Sequence, residues 1–174
     1  MQLTANSNDT YFVTLTIVYW IDIFTRLQYK DMIIGNLEYC RKEKGLEIFS
    51  YVIMTNHLHL IARSTKKTLS NVLRDFKTFT SKELYKAIKE NPQESRKRWM
   101  IKLFENAGKL NKLNKNFQVW QNKNQPIIMS NYKQFLVKQN YIHQNPVLAG
   151  FVANDFEYLY SSAGEDSPLI VDEY

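Results

Sequence analysis

His57 and His59, separated by one residue, are the part of this chain best suited to chemistry. A strand has a side-chain period of two, so both imidazoles would project from one face, roughly 6–7 Å apart at the backbone. That separation lets both converge on one metal ion. Leu58 and Leu60 would point to the other face and anchor the strand in a core. The competing use of such a pair is to cap a strand or sit wet at an edge. Here the pair lies inside a strongly apolar segment, where imidazoles without partners are costly to bury, and this favours a metal. A second pair, Tyr141 and Asn145, stands at i and i+4 in a helical segment and shares one helix face. Tyrosine can act as an oxygen nucleophile, and asparagine offers a neutral carbonyl ligand. Taken alone this second signal is weak, because the chain has 11 tyrosines, nearly all expected to be fillers of core or surface.

The elements that must carry these residues follow from periodicity. Tyr11–Trp20 reads as a strand, rich in β-branched and aromatic residues. Tyr29–Lys44 has helical spacing through Met32, Ile33, Asn36, Leu37 and Cys40, with Gly45 placed as its C-cap. Leu46–Met54 and His57–Arg63 are strand-like, and Thr55-Asn56 suits a two-residue hairpin turn. Thr68–Glu90 is a long helix capped by Thr68 or Ser70, and Glu94–Ala107 a second one stopping at Gly108. Lys109–Asn116 reads as a loop, Phe117–Gln121 and Ile127–Met129 as short strands, and Asn131–Asn145 as a last helix closed by Pro146. The order strand, helix, strand, strand, helix, strand predicts an α+β fold: a ferredoxin-like split-βαβ antiparallel sheet with a basic helical insertion and a C-terminal tyrosine-bearing helix.

Composition sets the outer limits. A length of 174 residues, 44% of them hydrophobic, suits one domain spanning 1–174, with 1–9 and 165–174 expected as flexible tails. A single cysteine, Cys40, excludes a disulfide scaffold or a Cys-rich zinc module and suits a reducing cytosol. The longest apolar stretch, Tyr11–Phe24, contains Asp22 and is too short to span a membrane, so a cytoplasmic location and no membrane partner are expected. The net charge of +6 is unevenly spread: Arg63–Lys123 holds 16 basic residues against 5 acidic ones. From Asp155 onward there are six acidic residues and no basic one. A basic centre in an otherwise slightly acidic chain points to a polyanion.

Two separated motifs carry a family resemblance. Tyr51-Val52-Ile53-Met54-Thr55-Asn56-His57-Leu58-His59-Leu60-Ile61 resembles the signature strand of the single-tyrosine HUH transposases, in which a hydrophobic residue separates two histidines. Tyr141-Ile142-His143-Gln144-Asn145-Pro146-Val147-Leu148-Ala149-Gly150-Phe151-Val152 resembles their tyrosine helix and its exit, above all in the REP-associated branch of these IS200-like enzymes. Phe117–Gln121 and Tyr160–Ala163 are similar to that branch too, so the resemblance runs from about Tyr11 to about Gly164. It implies that His57, His59 and Asn145 hold a divalent metal, Mg²⁺ or Mn²⁺, and that Tyr141 is the nucleophile. It further implies cleavage of single-stranded DNA, often beside a hairpin, through a 5′-phosphotyrosine that a DNA hydroxyl later attacks to rejoin the strand. Imidazoles alone would also suit Zn²⁺ or Ni²⁺.

With DNA as the expected partner, Arg63, Lys66, Lys67, Arg74, Lys77, Arg96, Lys97 and Arg98 become candidates to hold a hairpin backbone. Trp120 or Phe117 becomes a candidate to stack on an unpaired base, with core packing as the competing use. His143, off the Tyr141–Asn145 face, is expected to be structural or DNA-facing. Two departures from the family pattern stand out: Thr55 replaces a common proline, and Gln125-Pro126-Ile127-Ile128-Met129 replaces a common His-Pro-Ile-Glu-Leu. The other readings are a DNA-hairpin-binding relative that no longer cuts and an RNA-binding ferredoxin-like module, which leaves both residue pairs unexplained. A homodimer and a monomer are both compatible with the resemblance.

Overall fold

Alternation along three apolar strands builds the frame. β1 (Tyr11–Thr16), β2 (Leu46–Ile53) and β3 (His57–Ser64) pair antiparallel, and a two-residue β4 (Ile127–Ile128) extends β1, giving the order β2-β3-β1-β4. These features come from a computed structural model that describes residues 9–111 and 116–174. The expected N-terminal tail therefore lies almost wholly outside the described residues, as does the middle of the expected Lys109–Asn116 loop. The four-stranded antiparallel sheet and its helices bear out the α+β, split-βαβ reading.

One sheet face is covered by α1 (Leu27–Lys44) and α2 (Leu69–Glu90), with α3 (Lys97–Leu110) packed on α2. Val13, Leu15, Leu58 and Leu60 are fully buried there beside Ile33, Leu37, Val72 and Phe76. Each such aliphatic side chain contributes about 1.5–3 kcal/mol on leaving water. The opposite face is covered by α4 (Tyr132–Leu148) over a smaller cluster of Phe12, Phe49, Val52, Ile61, Phe135 and Ile142. A β-bulge between Ile48 and Ser50 turns Phe49 into that cluster while the Ser50 hydroxyl reaches His143 on α4. The local signals that end the elements behave as expected. Gly45 caps α1 in the left-handed region at φ 69°, and Thr68 accepts from the Asn71 amide to start α2.

Several expectations need correction. α3 does not stop at Gly108 but runs through it, because the bare glycine lets the Phe117 backbone pass: a Cβ there would lie 2.5 Å from the Phe117 Cα. Phe117–Gln121 forms no strand; a single isolated bridge, Ile17 to Trp120, and a Gln121 side-chain bond to the Ile17 carbonyl tie it to the end of β1. α4 continues past Asn145 with Pro146 inside it, since losing one amide in the final turn costs a single backbone bond. β1 ends at Thr16, and Val18–Trp20 turns away instead as a short 3-10 segment. The C-terminal stretch is packed, not a free tail. Leu169 is buried in the main core, Asp172 accepts from Arg41 and from the Ile48 amide, and the Tyr174 ring stacks on Phe135.

Candidate active site

Strand register sets the histidines. His57 stands directly opposite Thr16 and His59 opposite Thr14 across the β1–β3 ladder, so two hydroxyl residues face two imidazoles on the α4 side of the sheet. The His57 and His59 ring centroids are 4.7 Å apart. His59 is buried, stacked on Phe12 at 5.3 Å, and its Nδ1 meets the Thr14 hydroxyl at 2.8 Å. Burial, then the neighbouring His57 and Lys138, push its pKa down to about 3, which keeps the ring neutral and able to donate a lone pair. Burial also lowers His57, while the Asn145 amide beside it acts the other way.

The orientation of His57 is set by a chain of bonds that starts in the 3-10 segment after β1. The Asn56 Nδ2 donates to the Trp20 carbonyl (3.3 Å) and to the Asp22 carboxylate (3.0 Å). The Asn56 Oδ1 is therefore the atom that faces His57, and it accepts from Nδ1 at 2.8 Å. The proton thus sits on Nδ1 and the lone pair on Nε2. Thr55 joins the same anchor, donating to Asp22 at 2.6 Å. A hydroxyl bond thus ties down the turn where the resembling family commonly has a rigid proline.

α4 brings the second pair to the first. The Tyr141 ring centroid lies 5.3 Å from that of His59 and 5.9 Å from that of Phe12, with the side chain 44% exposed. One turn on, the Asn145 Nδ2 donates to the Tyr141 carbonyl at 3.4 Å, and the Asn145 amide hydrogen-bonds with His57. Lys138, one turn before Tyr141, holds its ammonium 5.5 Å from the Tyr141 ring centroid and 4.7 Å from that of Phe12. It has no carboxylate partner among the described residues. His143 points elsewhere, its Nε2 2.9 Å from the Ser162 hydroxyl, so its role is structural.

Among the described residues no three His, Cys, Asp or Glu side chains gather, so a metal here would need the asparagine. The donor set fits one. The Nδ1 atoms of both imidazoles are occupied by Asn56 and Thr14, and the Asn145 nitrogen by a carbonyl. That leaves the other ring nitrogens and the Asn145 oxygen, brought together by the His57–Asn145 contact, as the remaining lone-pair donors, a set suited to a divalent ion with room for further oxygen ligands.

The model of the IS200-like transposases matches residues 7–107, more than half of the sequence. The chain belongs to the IS200-like transposase family. The matched stretch includes the two histidines and stops short of Tyr141 and Asn145. No curated protein matches the chain. Among solved structures, it is similar to a REP-associated tyrosine transposase bound to a REP hairpin. The two share 18% identity over 93% of this chain and 81% of that one, with a TM-score of 0.67, a likeness of fold. It also matches a putative transposase from Deinococcus radiodurans R1, at 12% identity over 81% and 95% of the two chains and a TM-score of 0.46. No helix among the described residues is long and apolar enough to cross a membrane.

The residues singled out to hold DNA in this family member divide into two groups. Lys66, Lys67, Arg74 and Arg98 are exposed, and Arg74 carries only a weak pairing to Asp75 at 3.4 Å. The others are already engaged. Lys77 is largely buried and donates to the Gln121 carbonyl and to Asn124, so it pins the segment after α3. Burial pulls its pKa down to about 8. Arg96 wraps the buried Glu94 carboxylate and donates to the Asp22 carbonyl; Lys97 donates to the Asn91 carbonyl; Arg63 is paired with Glu47. Trp120 is not a stacking platform. It is 2% exposed, lies between Phe24 and Phe76, and its indole donates to Thr80 at 2.9 Å. Sequence reasoning missed Thr14, Asn56 and Lys138. Two signals were available: Thr14 and Thr16 alternate in an otherwise apolar strand, and Lys138 sits at i−3 from Tyr141 on the same helix face.

Proposed function

We propose that this transposase is a metal-dependent enzyme that cuts and rejoins single-stranded DNA, at or beside a hairpin, through a covalent bond to Tyr141. The observation that carries the reading is that α4 of the same chain seats Tyr141 against the His57–His59 pair, 5.3 Å ring to ring from His59. The hairpin as target is supported by the fold shared with a transposase bound to a REP hairpin.

On this reading His57, His59 and Asn145 would hold the ion, Mg²⁺ or Mn²⁺. When bound, it supplies Lewis-acid polarisation of the scissile phosphate. The chain supplies the rest. Asn56 and Thr14 keep the imidazoles in place as neutral ligands. α4 holds the phenol on the same side of the sheet as those ligands, so that attack is intramolecular once DNA is seated. The Lys138 ammonium, with no carboxylate partner among the described residues, places positive charge over the Tyr141 ring, where it would favour the approach of a phosphate. The phenol oxygen bonds to phosphorus as the P–O3′ bond breaks, the phenol giving up its proton and the departing 3′ oxygen taking one up to become a hydroxyl. The bond energy stays in the tyrosyl phosphate, and a DNA hydroxyl can reverse the step without a nucleotide cofactor.

The test is incubation of the purified protein with labelled single-stranded hairpin DNA flanking its gene, in Mn²⁺ or EDTA, beside Tyr141→Phe. The expected result is a denaturation-resistant adduct that requires both metal and Tyr141. Tight hairpin binding with no adduct under any metal would replace this reading with a non-cutting hairpin binder.

A further inference from the structure

Tyr19 and Trp20 are the structure's most conspicuous unused pair. They sit side by side in the left-handed region, φ 56° and 51°, conformations that bulky side chains rarely adopt. Their neighbours are buried and pinned. Ile17 donates to the Asn56 carbonyl and Val18 to the Val119 carbonyl, while Ile21 and Ile23 enter the main core. Yet Tyr19 is 48% and Trp20 66% exposed, and neither ring packs on another aromatic ring among the described residues. A backbone held under strain to turn two aromatic rings into water gains nothing in stability from them, so the strain asks for a function.

Two further observations say what the rings meet. They line an open groove of about 750 Å³ whose other walls are α3, at Leu110, and the segment bearing Gln118, Gln121 and Asn122. Among the described residues no acidic side chain lines it. Gln121 spends its nitrogen on the Ile17 carbonyl and Asn122 its oxygen on Gln118. Among the described residues this leaves Gln121 an acceptor and Asn122 a donor with which to meet a ligand edge. Aromatic faces beside one acceptor and one donor are what a nucleobase needs: stacking for its plane, hydrogen bonds for its edge. Trp20 is also two hydrogen bonds from the candidate active site, since its carbonyl holds Asn56, which holds His57.

We propose that Tyr19 and Trp20 form a stacking shelf for an unpaired base of the single strand next to the scissile phosphate, with Gln121 and Asn122 reading its edge. This rests on the DNA-cutting reading above. Stacking a base on Trp20 would load the same turn that orients His57, which ties strand recognition to the metal ligands.

The test separates binding from cutting by using Tyr141→Phe in EDTA. A single-stranded oligodeoxynucleotide of roughly 10 nucleotides carries 2-aminopurine at successive positions. One position should be strongly quenched. Trp20→Ala should abolish that quenching and weaken binding roughly 10-fold or more, and Trp20→Phe should retain most of the affinity. Trp20→Gly, which suits the backbone angle, should lose binding with an unchanged or raised Tm. Binding by Trp20→Ala within twofold of the parent overturns the proposal, and so does a marked fall in Tm for Trp20→Gly. A concentration-dependent dimer that Trp20→Ala dissolves would assign the rings to a second copy and overturn it too. Adduct formation by the unmodified protein is scored separately. Trp20-dependent quenching without any adduct sinks the cutting reading alone, and an adduct without such quenching sinks the shelf alone.

Discussion

Replacing Asn56 by alanine removes the oxygen that accepts the His57 Nδ1 proton. Three bonds go: Nδ2 to the Trp20 carbonyl at 3.3 Å, Nδ2 to Asp22 at 3.0 Å, and the 2.8 Å bond accepted from His57. Each is worth about 0.5–1.5 kcal/mol net, and because the turn is open to water the sum should fall near the low end, about 1–2 kcal/mol of stability. The larger effect is on the metal. With Nδ1 unheld, the ring can rotate and change tautomer, and losing such an orienting partner typically costs about 10–100-fold in metal affinity. The assay is a Mn²⁺ titration read two ways, by the bound-ion paramagnetic signal and by adduct formation. Asn56→Asp separates the two effects. It keeps an oxygen for His57 but loses the donor and sets a second carboxylate against Asp22, so affinity should hold while Tm falls. A folded Asn56→Ala protein whose Mn²⁺ midpoint lies within twofold of the parent would refute the tautomer argument.

The remaining predictions touch other elements. Lys138→Ala should slow single-turnover adduct formation by roughly 10–100-fold, and Lys138→Arg should recover much of it; an unchanged rate would remove Lys138 from the chemistry. Glu94, buried between Arg26 and Arg96, is held down to about 2 by these guanidiniums against the opposing pull of burial. Its contribution to stability is complete above the ordinary carboxylate pKa and is lost as pH falls from about 4.5 toward about 2. Glu94→Gln should therefore lower Tm near neutrality, by roughly 2–3 kcal/mol of stability, and flatten that acid limb. Gly108→Ala should destabilise at the upper end of ~1–3 kcal/mol in a thermal melt, because the added methyl meets the Phe117 backbone, which cannot rotate away. A melt like the parent's would mean that α3 does not run past Phe117 as described.

What could be read from the chain in advance was whatever depends on near neighbours. Period-two alternation placed His57 and His59 on one strand face with Leu58 and Leu60 on the other, and i, i+4 spacing placed Tyr141 with Asn145. Gly45 and Thr68 announced helix ends through local backbone chemistry. What failed depended on distant partners. Trp120 is in the core because Thr80, forty residues earlier, offers its indole an acceptor. Lys77 and Arg96 look like free cations in the sequence, yet Lys77 is consumed by Gln121 and Asn124 far along the chain, and Arg96 by its near neighbour Glu94 together with the distant Asp22 carbonyl. Gly108 looked like a helix stop because a glycine's reason for being there, the passing Phe117 backbone, cannot be read from helix spacing. Asn56 is legible as a turn residue, but its hold on His57 exists only once Trp20 and Asp22 have taken its nitrogen.

The smaller apolar cluster beneath α4 has a consequence for how the enzyme would work. The strand bearing His57 and His59 belongs to the large core, while Tyr141 rides on a helix seated on Phe12, Phe49, Val52, Ile61 and a stack of Phe135 with Tyr174. Tyr141 and the two imidazoles thus sit on opposite banks of a seam, and the candidate site exists only while the seam is shut. On the proposed chemistry, cutting speed is set in part by a docking equilibrium that no reacting group controls. Once cut, the DNA end bonded to Tyr141 would be moored to the lighter bank, so one motion of a single helix would carry one strand end relative to the other.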